Sequence, residues 1–222
     1  MRRIFLAVAL LAALASCRKE TPAPPPPPKP APQTSDGGRI TIRLEGDVKT
    51  LNPMLQDSDD ERQVLTFLHD PLVDLDSDAN PIPATAAKWE VLDGGHKYVL
   101  HLDPRATFSD GKPVLAGDVV FTMRKIVDSP QFGGAFASID LEQTKAVDER
   151  TVHVVFKEVH VAQLLAFNIP VLPEHVYGQG DFAKNRAVVG NGPYVLVKRE
   201  PDRPVKPPRP PPIELPVARV VS

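Results

Sequence analysis

The placement of proline constrains this chain more than any other feature. Of 222 residues, 26 are proline, well above the usual share of about 5%. They crowd two places, Pro22 to Pro32 and Pro201 to Pro216. Proline fixes φ and removes a backbone donor, so neither cluster suits a helix interior or a central strand. What folds must lie between them. We therefore divide the chain into residues 1–17, a proline-rich linker at 18–38, a folding body at 39–200 and a disordered proline-rich tail at 201–222. Pro24 to Pro28 predicts polyproline II, extended at about 3.1 Å per residue.

Ahead of the linker, Met1-Arg2-Arg3 is basic and Ile4 to Leu14 is continuously apolar. About 20 residues are needed to span a bilayer, so this run is too short for a stable span. A basic start, a short apolar run and small residues after it read as a secretory signal. Leu14-Ala15-Ser16-Cys17 resembles the bacterial lipobox, which implies cleavage before Cys17 and lipidation of its thiol. A plain secretory signal with a chance cysteine is the rival reading. Cys17 is the one cysteine of the chain, which excludes an internal disulfide framework and a cysteine-based zinc site. The lipobox implies a periplasmic or cell-envelope protein held at the membrane by a lipid anchor. Outside the cytosol, Pro24 to Pro28 reads as a spacer rather than a PxxP ligand.

The body mixes two periodicities. Ile40, Ile42 and Leu44 alternate in "RITIRLE" and predict a half-buried strand. Asp60 to Leu68 predicts a short helix with Val64, Leu65 and Leu68 on one side. "PLVDLDSDANPIP" predicts a strand pair turning at Ser77 to Asn80, and "KYVLHL" and "TVHVVF" predict further strands. Val119, Val120, Met123, Ile126 and Val127 recur at helical spacing within Leu115 to Val127, with Asp118 in the first turn, where a negative charge suits the dipole. Val161 to Phe167 predicts a helix, and "PYVLVKRE" a closing strand. Without a βαβ rhythm, the class is α+β.

Chemistry-bearing patterns are weak. A net charge of -2 gives no footprint for nucleic acid. Asp74 to Asn80 resembles a calcium loop, but Ala79 and Thr85 stand where such a loop needs glycine and glutamate; a solvated hairpin turn is the better reading. The histidines show no zinc spacing, and His101 and His153 fall on the exposed faces of strands. Ser109-Asp110-Gly111 is no nucleophile elbow. We expect no enzyme, no cofactor and no metal.

An ordered set of motifs carries more. Ala86, Trp89-Glu90, Asp93-Gly94, Tyr98, Phe108-Ser109-Asp110-Gly111 and Asp118-Val119-Val120-Phe121 follow one another. Leu51-Asn52-Pro53 precedes them. "AVDERTVHVVFKE", Leu172-Pro173-Glu174-His175-Val176 and Gly190-Asn191-Gly192-Pro193-Tyr194 follow. Together they resemble the family 5 bacterial extracellular solute-binding proteins, the peptide, oligopeptide, dipeptide and nickel binders of ABC importers, over Arg39 to Arg199. The resemblance implies a mixed-sheet lobe of a type II-like periplasmic binding protein. It also implies a small peptide or similar solute as ligand, and a permease and ATPase as partners. Trp89 and Tyr98 would supply buried area, while Gly94, Gly111 and Gly192 would permit tight turns. Most signature residues are then fold residues. The possible ligand cleft lies near Glu45 to Asn52, where an extended peptide would run as an added strand.

The chain departs from the family at Leu115, where a capping threonine is common, and at Asp103 to Thr107, which lack the usual Arg-x-Gly. The larger departure is that the second lobe is missing after "GNGPYVLVKRE". A truncated or frameshifted product is the expectation, with weak or no binding by half a cleft. The alternatives are an envelope lipoprotein interaction module on the same lobe, without transport, and a non-functional fragment.

Overall fold

The computed structural model describes residues 42–129, 132–160 and 163–198. Cys17, the linker and the proline-rich tail lie outside them. The first helix, α1 (Asp59–Leu68), starts where the sequence supplies a cap: Ser58 Oγ accepts from the Glu61 amide at 3.2 Å, and Asp59, Asp60 and Glu61 fill the first turn. That turn suits the positive end of the helix dipole. A hairpin follows, β1 (Val73–Leu75) against β2 (Pro81–Pro83). Its turn is closed by Asp76, whose carboxylate accepts from the amides of Asp78 and Asn80 and from the Asn80 side chain.

The main sheet contains β3 (Ala86–Leu92), β4 (Lys97–Leu102), β5 (Lys145–Ala146) and β6 (Thr151–Val155), antiparallel in the order β3-β4-β6-β5. Register sets Tyr98 opposite Val154 and Leu100 opposite Val152, so these four side chains share one face. All four are buried. They pack with Val119, Met123 and Ile126 of α2 (Ala116–Val127) in one core cluster. The ring of Tyr98 meets those of Phe156 and Phe167 edge-on, at centroid distances of 5.6 and 5.3 Å, a favoured aromatic geometry. His101 and His153 lie on the opposite face, as alternation predicts. Two single-turn helices, α3 (Gly133–Phe136) and α4 (Glu174–Tyr177), complete the body.

A second, smaller cluster of Val48, Leu51, Val64, Leu65 and Leu68 holds the inner side of α1, flanked by Leu44, Val188 and Leu196. The segment 190–194 crosses the end of this helix. Gly192 donates to the Leu68 carbonyl at 2.9 Å and Tyr194 to the Phe67 carbonyl at 3.1 Å.

Several expectations need correction. Residues 42–45 form no strand; the Glu45 and Gly46 amides donate instead to the Asp60 carboxylate. The expected closing strand is irregular from Val195 to Lys198; just before it, the Gly192 and Tyr194 amides bond to the end of α1 rather than to a sheet edge. Of the helix expected over Val161 to Phe167, Gln163–Phe167 is helical, as a 3-10 helix, and residues 161 and 162 lie outside the described residues. The strand β3 was not predicted: it is the sheet's edge, mostly exposed, and so shows no alternation. Trp89 within it is only half-buried.

Candidate functional site

The signature residues converge. Gly111 has φ +84° and lets the Phe108 to Lys112 turn close, with the Gly111 amide donating to the Phe108 carbonyl. Asp110 in that turn meets His175 Nε2 at 2.6 Å, and buried Phe108 packs edge-on against the His175 ring. Partial burial works against the Asp110 charge. The bond from His175, the Lys112 amide and the nearby positive charges outweigh it, holding the carboxyl below its ordinary value. Asp118 accepts from the Leu115 amide at 2.8 Å through one oxygen and from the Glu174 amide at 2.8 Å through the other. Leucine cannot cap a helix, so Asp118 both supplies the reciprocal half of a capping box and ties α2 to α4. Asp93 and Gly94 sit at φ +52° and +64° in the turn between β3 and β4.

Gly192 corrects the sequence reading. Its φ is not positive, so it is not a turn glycine. A Cβ there would come within 2.6 Å of the His69 amide and the Leu68 carbonyl carbon. Gly190 is as confined: a Cβ would collide with the Leu68 carbonyl oxygen. These glycines are needed for backbone contact, which seats Tyr194 edge-on against Phe67 at 5.4 Å. Pro193, between Gly192 and Tyr194, is exposed.

A groove of about 370 Å³ lies between two loops, residues 49–55 and 183–187. Its size falls at the low end of small-molecule sites. Each wall is pinned from behind. Glu61, with no solvent exposure, accepts from the amides of Lys49 and Thr50 at 2.8 and 2.9 Å with one oxygen and from Asp57 at 2.9 Å with the other. Burial pushes its pKa up, but these amides more than reverse that, and the carboxyl titrates below its ordinary range. On the far wall, Tyr177 donates to the Ala187 carbonyl at 2.8 Å and Asn185 to the Val176 carbonyl at 2.7 Å. Asn52 joins the walls, its side chain donating to the Phe182 carbonyl at 3.3 Å and accepting from the Met54 amide at 3.0 Å.

Of the two expected cleft residues, Asn52 therefore lines the groove but is buried and uses its amide to hold it together. Glu45 is exposed and is not among the lining residues. Sequence reading missed Glu61, Lys49 and Arg186. Glu61 carried a signal: it sits one turn before Val64 and Leu65 on the stripe that ends at Leu68, and an acid on an inner stripe requires partners. A larger recess of about 990 Å³ lies over the outer face of the main sheet. There Lys97, Lys145 and Lys157 are offset by Asp93, Asp140 and Glu142, so it favours no ligand class.

Residues 80–206, more than half of the chain, match the middle region of the bacterial extracellular solute-binding proteins, family 5. The chain belongs to this family. It is 30% identical over 173 residues to the probable deoxycholate-binding periplasmic protein YgiS of Escherichia coli (strain K12), covering 68% of this chain and 32% of that protein. It is 25% identical over 215 residues to the dipeptide-binding protein DppE of Bacillus subtilis (strain 168), covering 87% and 39%. Among solved structures, the ABC transporter substrate-binding protein CtaP of Listeria monocytogenes superposes with a TM-score of 0.64 at 28% identity, covering 75% of this chain and 35% of CtaP. This family 5 chain thus spans about a third of the length of these relatives. The shared fold is a part of a periplasmic binding protein, with the expected mix of helix and sheet.

Proposed function

We propose that this family 5 chain serves as the solute-capturing part of an ABC importer, taking small peptides or similar solutes outside the inner membrane. It would hand them to a permease and its ATPase while held to the membrane by a lipid on Cys17. The observation that carries the reading is the family match over residues 80–206. DppE, by name a dipeptide binder, supports the peptide class. YgiS, by name a deoxycholate binder, sets the competing small-solute class. The groove between residues 49–55 and 183–187 offers a ligand two pinned walls. Two acyl signals hold a protein at a bilayer where one gives only marginal binding, so a lipidated Cys17 would keep the chain beside its permease.

The test is uptake in the host. Deleting the gene should lower accumulation of radiolabelled di- and tripeptides, and the wild-type gene should restore it. Unchanged peptide uptake, with the chain still found in the envelope, would favour the interaction-module alternative. Labelled palmitate should enter the wild-type chain and not Cys17→Ala; equal labelling removes the anchor.

A further inference from the structure

The charge of the groove points to a ligand class. Its lining residues include Lys49, Lys184 and Arg186 and, among the described residues, no carboxylate. One cation comes from the first wall and two from the second. Lys184 Nζ lies 3.1 Å from Asp181 just outside the lining, so its charge is partly offset. Arg186 is exposed and has no ion-pair partner among the described residues. The lining also brings Thr50 and Asn185 among its polar side chains, and Leu51 and Leu55 among its apolar ones. Cations on both walls, with the apolar Leu51 and Leu55 on the first, fit an anionic group on a short organic body.

We infer that this groove takes solutes through a carboxylate, and that it selects acidic peptides over basic ones. This deepens the solute-capture reading and rests on it. The selection would be electrostatic complementarity, in which an unmatched cation is repelled as much as an anion is held. Glu61 is what makes it specific to place as well as charge. By fixing the Lys49 and Thr50 amides it fixes the backbone that carries the first cation. Asn185 does the same next to Arg186, accepting from the Ala187 amide at 2.9 Å while donating to Val176.

The experiment is an NMR titration of the full 222-residue chain with triglutamate, trialanine and trilysine, which reads weak binding directly. Triglutamate should shift amides in residues 49–55 and 183–187, and trilysine should leave them in place. Lys49→Ala and Arg186→Ala should each weaken triglutamate roughly threefold, as expected for exposed charge pairs, and the double reversal Lys49→Glu/Arg186→Glu should abolish it. Both positions are exposed, so unchanged amide dispersion will certify the fold of each variant. Raising the salt should weaken binding. If trialanine or trilysine shifts the same amides as strongly, the groove is a solute site without charge selection: the inference fails and solute capture stands. If no peptide shifts these amides, the groove fails as a solute site altogether.

Discussion

Single residues here stand out when they are polar and sealed from water. Glu61 has no exposure and serves three amides of the 49–57 loop. Glu61→Ala leaves those donors without an acceptor and should cost about 3 kcal/mol, since hydrogen bonds to charged groups are the strong ones. Glu61→Gln keeps one acceptor but turns a donor toward an amide, and should cost less than alanine yet remain clearly destabilised. Urea denaturation of the three proteins checks the order. Because the folded pKa of Glu61 lies below its ordinary value of 4.5, its contribution is present above that value and is lost as pH falls through the folded one. His69 makes the opposite demand. It is buried, both ring nitrogens lack partners among the described residues, and burial pulls its pKa from 6.5 to about 4. Between those values the unfolded chain binds the proton and the folded one does not. The His69 contribution should therefore lower stability by about 3 kcal/mol as pH drops from 7 to 4 and level off below, where the loss that continues belongs to carboxylates such as Glu61. His153 is lowered too, by partial burial and then by Lys97, Lys145 and His101, and adds to the same slope. His69→Leu should hold or raise stability at pH 7 and flatten the slope in thermal melts across that range; an unchanged slope would assign it to other groups.

Between elements, the joint that matters is backbone on backbone. The 190–194 segment rests on the end of α1 so closely that any side chain at Gly190 or Gly192 displaces it. Gly192→Ala should cost about 2–3 kcal/mol through that overpacking. Gly134→Ala is the control. Gly134 lies in α3 with nothing near its missing Cβ and no positive φ, so alanine should be neutral or stabilising by up to about 1 kcal/mol. Thermal melts of both separate the close contact from a general intolerance of alanine. The same joint explains what could be read from sequence. Elements whose side chains alternate between water and core declared themselves: α1, α2, β4 and β6 fall where periodicity places them. Elements defined by backbone partners did not. Tyr194 to Lys198 has the composition of a strand but finds a helix end, and β3 has a strand's partner on one side only. For the candidate site, the chain neighbourhood of Asn52 was legible. Its second wall, 183–187, was not, because loops more than a hundred residues apart meet through carbonyls that any residue could offer.

At the scale of the whole described body, stability is unevenly shared. The main cluster joins the four-stranded sheet, α2 and the aromatic trio of Tyr98, Phe156 and Phe167. The cluster under α1 has only Val48, Leu51, Val64, Leu65 and Leu68 fully buried, a small fraction of that area. Its links to the larger one include Met54, buried there just after Leu51, and the hydrogen bonds of Asn52 to Phe182, Asn191 to Thr85 at 2.8 Å, and Ser109 to the Gly190 carbonyl at 2.7 Å. A unit that buries less apolar surface opens at lower free energy. Native-state hydrogen exchange should thus find the amides of Leu65 to Leu68, Gly192 and Tyr194 opening at least about 2 kcal/mol below those of Tyr98 to Leu102 and Val152 to Val154. Glu61→Ala should lower the first set and leave the second nearly unmoved, whereas Leu100→Ala should lower the second. Equal opening free energies with one urea dependence would make the body a single cooperative unit instead. The uneven sharing has a consequence for capture. The groove's first wall, residues 49–55, straddles the two: Leu51 and Glu61 anchor it in the smaller cluster, and Met54 is buried in the larger one. The stretch from Lys49 to Asn52 can then yield to solute while Met54 stays seated in the core of the sheet that holds the lobe together.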